Sequence, residues 1–451
     1  MPSVRTSGFV AALLVAATVG ACKGNQAEVV DNTPVNNHTA GTGDPNDPTF
    51  DPLAPDTGAD RFREMMIVAP SVVRDARTSS ETGGPWSFRW LVEELTPAST
   101  TPQDLVRSWL LSYSGTEVSG AKVTPRPDVR SKLVCPWLRQ SPENGCNEDC
   151  STCSFERFDL AKAPFKLMAI VNRTDIPTGP CKPGAEGRFV FGAVDPATGK
   201  PLEMTVIFEY SLPGTAMEWA RDFHELSRIP FGPEYRAKLE VLTRGFAGRR
   251  NGLMPELAHL RTAERAFGAE WELREFVPSA QGVSPVPPSH TPRFSVDNTS
   301  ELAAHIKSHT AEILAGDNVL RDIPAAGAAT VPSESFRWMA ENKADPVMRA
   351  FSRNTCNGCH GGEHPADDPV QFRHVALAPN GDVLLSRFLN DPNGNPDELG
   401  RRQQIITRLI RARTCNDETG GGYSKAGAGN LPGSGAVMPS AALANRATVV
   451  H

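Results

Sequence analysis

Five consecutive residues, Cys356-Asn357-Gly358-Cys359-His360, constrain this chain more than any other stretch. Thiols at i and i+3 fall on one side of a single turn, and a histidine follows at once. Cys-x-x-Cys-His is the attachment signature of c-type haem, in which each thiol adds to one vinyl group and the imidazole ligates the iron. With 9 Cys and 10 His in 451 residues, the pattern arises by chance roughly 0.004 times per chain. The bland alternative is a tight Cys356–Cys359 disulfide, or a redox pair, with His360 incidental.

The beginning of the chain sets the compartment these thiols meet. Arg5 precedes an apolar run from Phe9 to Ala17, too short to span a bilayer and of signal-peptide length. The run ends in Val19-Gly20-Ala21-Cys22, which resembles the lipobox of bacterial lipoproteins. By that resemblance residues 1–21 are a signal peptide, and the Cys22 sulfur carries a lipid that anchors the chain to a membrane. An ordinary cleaved signal followed by a stray cysteine is the alternative. Either way the mature chain is expected in the cell envelope, where c-type haem is attached. Lys23 rather than Asp after that cysteine leans, by the same resemblance, toward an outer-membrane anchor, with the periplasmic side as the alternative.

Residues 22–60 are rich in Asn, Asp, Thr, Pro and Gly and poor in apolar side chains. They cannot bury enough surface to offset their ordering entropy, so they read as a flexible tether, His38 included. The remainder is long enough for two or three domains. The whole chain's 39% hydrophobic and 22% charged residues suit a globular protein. A formal charge of −6 gives no basic footprint for nucleic acid. No Walker loop, dinucleotide glycine fingerprint or Gly-x-Ser-x-Gly elbow occurs.

Periodicity predicts an α+β domain over 61–330. Met65–Ala69 and Phe165–Val171 read as strands, and Arg188–Val194 with Met204–Tyr210 as a hairpin around Asp195–Lys200. Thr101-Pro102-Gln103-Asp104 and Thr215-Ala216-Met217-Glu218 are helix-capping signals, and a further helix is expected from Pro233 to Leu242. Trp109, Met217, Trp219 and Phe223 fall on the apolar faces, as core. Trp271–Phe276 alternates as a strand with a polar face, and Glu270, Glu272 and Glu275 are expected to be solvated there rather than catalytic. His224 reads as a packed or surface histidine.

Two cysteine and histidine constellations remain. Setting aside Cys22 and the motif pair leaves Cys135, Cys146, Cys150, Cys153, Cys181 and Cys415, an even number that suits three disulfides in an exported chain. The competing idea is a zinc site from Cys135, Cys146, Cys150 and Cys153. His305 and His309 are one turn apart on an expected helix over Glu301–Leu314, a spacing that suits a metal pair, but no third ligand is visible.

Residues 331–451 are expected to be a mostly helical, cytochrome c-like segment. A helix over Trp338–Arg353 would deliver Cys356, a hairpin turns at Asn380-Gly381, and another helix covers Pro396–Ala412. The sixth iron ligand is open among Met438, whose Met-Pro resembles the distal pair of small cytochromes c, His374, His364, or none.

Several stretches together resemble a known family. They are Asn172–Asp175, Gly187–Gly192, Arg261–Glu264, Trp271–Phe276, Asn354–Gly362 and Leu385–Leu389. They look like those of a family of uncharacterised exported bacterial lipoproteins with one C-terminal cytochrome c-type motif, and the resemblance runs from about Ser71 to Arg402. Ala263 and His364 depart from it, where Asn and Thr are usual. It implies one covalent haem c, a membrane anchor and an electron-transfer protein partner. The alternatives are a haem-free, disulfide-stapled binding or structural lipoprotein, and a haem enzyme of the peroxidase type.

Overall fold

Long alternating strands supply the frame. The computed structural model describes residues 58–415 apart from 142–143, 155–156, 178, 315–319, 321, 334–335, 342–345, 363–367, 369, 371 and 394–396. The chain enters through β1 (Met66–Ile67), α1 (Pro70–Val73), α2 (Phe88–Glu94) and α3 (Pro102–Leu111). A small hairpin of β2 (Thr116–Val118) and β3 (Ala121–Val123) and the short α4 (Cys135–Arg139) follow. Then come β4 (Phe165–Arg173), β5 (Glu186–Val194) and β6 (Pro201–Ser211). Helices α5 (Ala216–His224) and α6 (Pro233–Ala247) lead to β7 (Leu257–Glu264), β8 (Trp271–Ser279), β9 (Gly282–Val286) and β10 (Ala329–Val331). These strands make one eight-stranded antiparallel sheet of order β1-β4-β5-β6-β7-β8-β10, with β9 paired to β8.

The two capping signals behave as the sequence predicts. Thr101 with Asp104 and Thr215 with Glu218 each form a reciprocal capping box at the starts of α3 and α5. Each box satisfies two backbone N–H groups that helix geometry leaves without a partner.

Residues directly opposite each other in neighbouring strands share a face of the sheet. Phe165, Phe191 and Phe208 lie on one face, which α2 and α3 close. Phe88 of α2 stacks on Phe165 with ring centroids 4.3 Å apart and meets Trp109 and Trp137 edge-on or tilted. The opposite face carries Arg173, Glu186, Arg188, Glu209, Arg261 and Glu275. All are buried, because the C-terminal third of the chain lies over them.

That covering corrects the expected architecture of residues 331–451. No helical cytochrome c-like segment forms among the described residues. The region contributes α9 (Pro346–Arg353), α10 (Cys356–Gly362), a hairpin of β11 (Val375–Leu377) and β12 (Val383–Leu385), and α11 (Glu398–Arg411). Its short helices bury too little against one another, and their apolar side chains go to the sheet instead. Met348, Phe351, Cys356 and Phe372 share one buried cluster with Ala263, Trp271, Leu273 and Val331. β11 packs on β4, β5 and β6, and α11 lies along α5. Trp338 is outside α9, which begins only at Pro346.

The helix expected over Glu301–Leu314 divides into α7 (Ser300–Ser308) and α8 (Thr310–Leu314) at His309. Among the described residues no helix is long and apolar enough to cross a membrane.

Candidate functional site

The Cys-x-x-Cys-His turn is held by hydroxyls and an indole. Thr355 stands just before α10; its Oγ1 donates to the Ser352 carbonyl and accepts from the Gly358 N–H, 3.1 Å away. Trp338 Nε1 donates to Thr355 Oγ1 at 3.0 Å, and its backbone N–H donates to Ser352 Oγ at 2.9 Å. Gly358 and Gly361 let the turn approach its neighbours. A Cβ on Gly358 would collide with the Ser352 carbonyl, and one on Gly361 would come within 2.7 Å of Val331.

The three motif side chains point into the protein. Cys356 and Cys359 are 1% and 0% exposed and are not joined by a disulfide. Cys356 Sγ is 3.4 Å from the Ser289 carbonyl, and Cys359 Sγ is 3.4 Å from His374 Nε2. Burial pushes the Cys356 thiol up to about 11, although the Arg261 charge pulls the other way. His360 Nδ1 is 2.8 Å from the Phe372 carbonyl. A carbonyl only accepts, so Nδ1 carries the proton of the neutral ring and Nε2 carries the lone pair. The His360 ring stacks on Trp271 at 4.4 Å between centroids, and His374 flanks it at 4.3 Å. His374 is in turn held by Ser386 Oγ, 3.2 Å from its Nδ1.

This donor set has the chemistry of a haem c attachment: two unbridged thiols on one turn and an imidazole with a fixed tautomer. The surroundings are close-packed. The His360 and His374 rings touch in this structure, so His374 would serve as a further iron ligand only if the two rings part. Met438, His364, Cys22 and His38 lie outside the described residues.

Beneath α10 runs a ladder of charges that the sequence reading placed in solvent or did not connect. Arg261 Nε is 2.8 Å from Glu275 Oε2, and its Nη1 is 3.1 Å from Glu209 Oε1. Arg188 pairs with Glu186 at 2.6 Å and with Glu209 at 3.1 Å. His259 Nε2 is 3.1 Å from Glu275 Oε1, and Ser289 donates to the same carboxylate. Arg173 and Asp175, both fully enclosed, continue the row toward Glu398 and Arg402 of α11. Burial alone would raise Glu275, but the charges of Arg261 and then His259 hold it down to about 2.

Glu275 is therefore 2% exposed, and Glu272, paired with Arg274 and Arg126 on the opposite face of β8, is 1% exposed, so neither belongs to a solvated face. The signal was present in Arg173/Asp175, Glu186/Arg188 and Glu272/Arg274. Opposite charges two residues apart on a strand fall on one face and can pair there.

The remaining candidates are placed as follows. Cys146–Cys153 and Cys181–Cys415 are disulfides, while Cys135 and Cys150 are buried and unjoined. The sulfurs of Cys146, Cys150 and Cys153 lie within 4.8 Å of one another. His224 is packed, its Nδ1 2.9 Å from Glu64 Oε2. Burial raises Glu64 above the usual carboxylate value, with the His224 contact working against it. His305 and His309 acquire the third group the sequence did not reveal, Asp322.

No protein-family model matches the chain, and no curated protein or solved structure shows a significant similarity to it.

Proposed function

We propose that this is a lipid-anchored, one-haem c-type cytochrome-like protein that passes single electrons in the cell envelope. The observation that carries the reading is the α10 turn, with two thiols not joined to each other and an adjacent imidazole whose Nδ1 is held by the Phe372 carbonyl. Haem c, held by Cys356, Cys359 and His360, would supply a one-electron couple. The chain's own groups do the rest. The Phe372 carbonyl fixes the His360 tautomer, Trp271 holds its ring plane, and Thr355 with Trp338 locks the turn. The buried Arg261 sets a positive charge beside Cys356, with Glu275 and Glu209 opposing it. The broad sheet serves as scaffold and docking body. The lipobox-like Val19–Cys22 supports the anchor.

A haem-free structural or binding lipoprotein is the second reading. The contact between the His360 and His374 rings favours it, because the turn is filled by protein.

One experiment separates the two. The protein is produced in a host with a working cytochrome c maturation system, and its mass and its absorption in alkaline pyridine are measured. One haem of added mass, with pigment that survives denaturant and is lost in Cys356→Ala/Cys359→Ala, is expected. A colourless chain of polypeptide mass overturns the electron carrier.

A further inference from the structure

Away from the Cys-x-x-Cys-His turn, two imidazoles and a carboxylate converge where α7 gives way to α8. His305 lies in the last turn of α7, and His309 caps that helix four residues later, so both project to the same side. Their ring centroids are 4.6 Å apart. Asp322 reaches them from the segment before β10, its Oδ2 2.8 Å from His309 Nε2. The nearest ligand atoms of all three lie within 4.8 Å of one another.

Taken alone, His309 between two carboxylates could be a charged histidine in an ion pair, since its Nδ1 also meets Glu312. His305 argues otherwise. It is 3% exposed, yet neither its Nδ1 nor its Nε2 has a hydrogen-bond partner. A buried imidazole normally satisfies at least one nitrogen. Here the open nitrogens belong to a ring beside His309 and Asp322. A metal ion in the group would give His305 the partner it lacks.

We propose that His305, His309 and Asp322 form a mononuclear site for a divalent cation of the zinc class. Two nitrogens and one oxygen match the ligand preference of that ion. Glu312, accepting from His309 Nδ1–H, orients the ring so that Nε2 faces the metal, as second-layer carboxylates do for metal-bound histidines. Three protein ligands leave a fourth position for water or an incoming ligand. It opens outward, because the Asp322 side chain is 64% exposed and the His309 side chain 16%. The site also braces the motif: α8 packs on α9, and Asn354, at the entrance to the Cys356 turn, donates to the Ile313 carbonyl at 3.0 Å.

The test uses the whole mature protein, stripped with chelator and titrated with zinc and, separately, with cobalt. Zinc is counted apart from iron by elemental analysis. One zinc per chain is expected, with a cobalt spectrum of four- or five-coordinate type. Asp322→Asn and His305→Ala should each weaken zinc by about a hundredfold or more, and Glu312→Gln by about 10–100-fold. Asp322 and Glu312 are exposed enough that their variants test the site even if His305→Ala fails to fold. No zinc uptake by the stripped wild type overturns the proposal. So does uptake unchanged in Asp322→Asn, or uptake lost instead in Cys150→Ser, which would move the ion to the cysteine cluster.

Discussion

Replacing Arg261 by methionine tests whether the buried ladder stabilises the sheet. The guanidinium is 4% exposed and bridges Glu209 and Glu275, themselves 0% and 2% exposed. Removing one partner of a buried ion pair typically costs about 3–5 kcal/mol, because the other charge is left uncompensated. Here two carboxylates lose a partner, but neither loses all. Glu209 keeps Arg188, and Glu275 keeps His259 and the Ser289 donors. The loss at pH 7 should therefore sit near the low end, about 3 kcal/mol.

A second route gives the same scale. Glu275 is depressed from 4.5 to about 2 in the folded protein. The difference, 4.5 − 2, is worth about 3 kcal/mol at about 1.4 kcal/mol per unit. A depressed carboxylate contributes stability above its unfolded value and loses it as pH falls toward its folded one. Arg261→Met should then cost most at pH 7 and progressively less between pH 4.5 and 2. Urea unfolding followed by tryptophan fluorescence at pH 7 and pH 4 measures both, and Glu275→Gln in the Arg261→Met background should recover part of the loss. A loss under about 1 kcal/mol at pH 7, or an equal loss at both pH values, refutes the reasoning.

Three further outcomes are expected. Burial raises Glu264 to about 7 despite Arg126 at 3.3 Å, which is shared with Glu272. A raised carboxylate favours folding below its unfolded value and penalises it as pH rises through 7. Glu264→Gln should thus be near neutral at pH 5 and gain stability over wild type by pH 8, as thermal melts will show. Cys181–Cys415 closes a separation of 234 residues, so its double serine variant should lose up to about 5 kcal/mol of unfolding free energy by loop-closure entropy. Gly358→Ala, whose Cβ meets the Ser352 carbonyl, should cost about 1–3 kcal/mol by crowding; an unchanged melting curve would show that the turn relaxes freely.

Local chemistry was legible in the sequence where a few neighbouring residues decide it. Both capping boxes, the strands around Phe165–Val171 and Arg188–Tyr210, and the turn at Asn380-Gly381 form where composition places them. Helix α6 runs on to Ala247, past the expected Leu242. What failed was the partner of each surface. The polar row Glu272 and Arg274 looks solvated until the segment from Ser112 to Arg126 covers it, and Glu275 on the other face until the region around Cys356 does. The helices near Cys356 look like a small domain until their apolar faces turn to Trp271 and Leu273. Asp322 could not be attached to His305 and His309 by spacing, since it arrives from a loop 13 residues beyond His309. Tertiary contact decides such questions, and one strand or helix alone carries no record of it.

The enclosure of Cys356 and Cys359 has a consequence for biogenesis. A thiol buried this completely is beyond the reach of any attaching enzyme in the finished fold. Both also fall inside the span that Cys181–Cys415 closes. Whatever is joined to them must be joined to the open chain, before the sheet's charged face is covered and before that long bridge forms. A modification missed at that stage cannot be added afterwards without unfolding the molecule. The order of events during folding is thus written into where the two sulfurs end up.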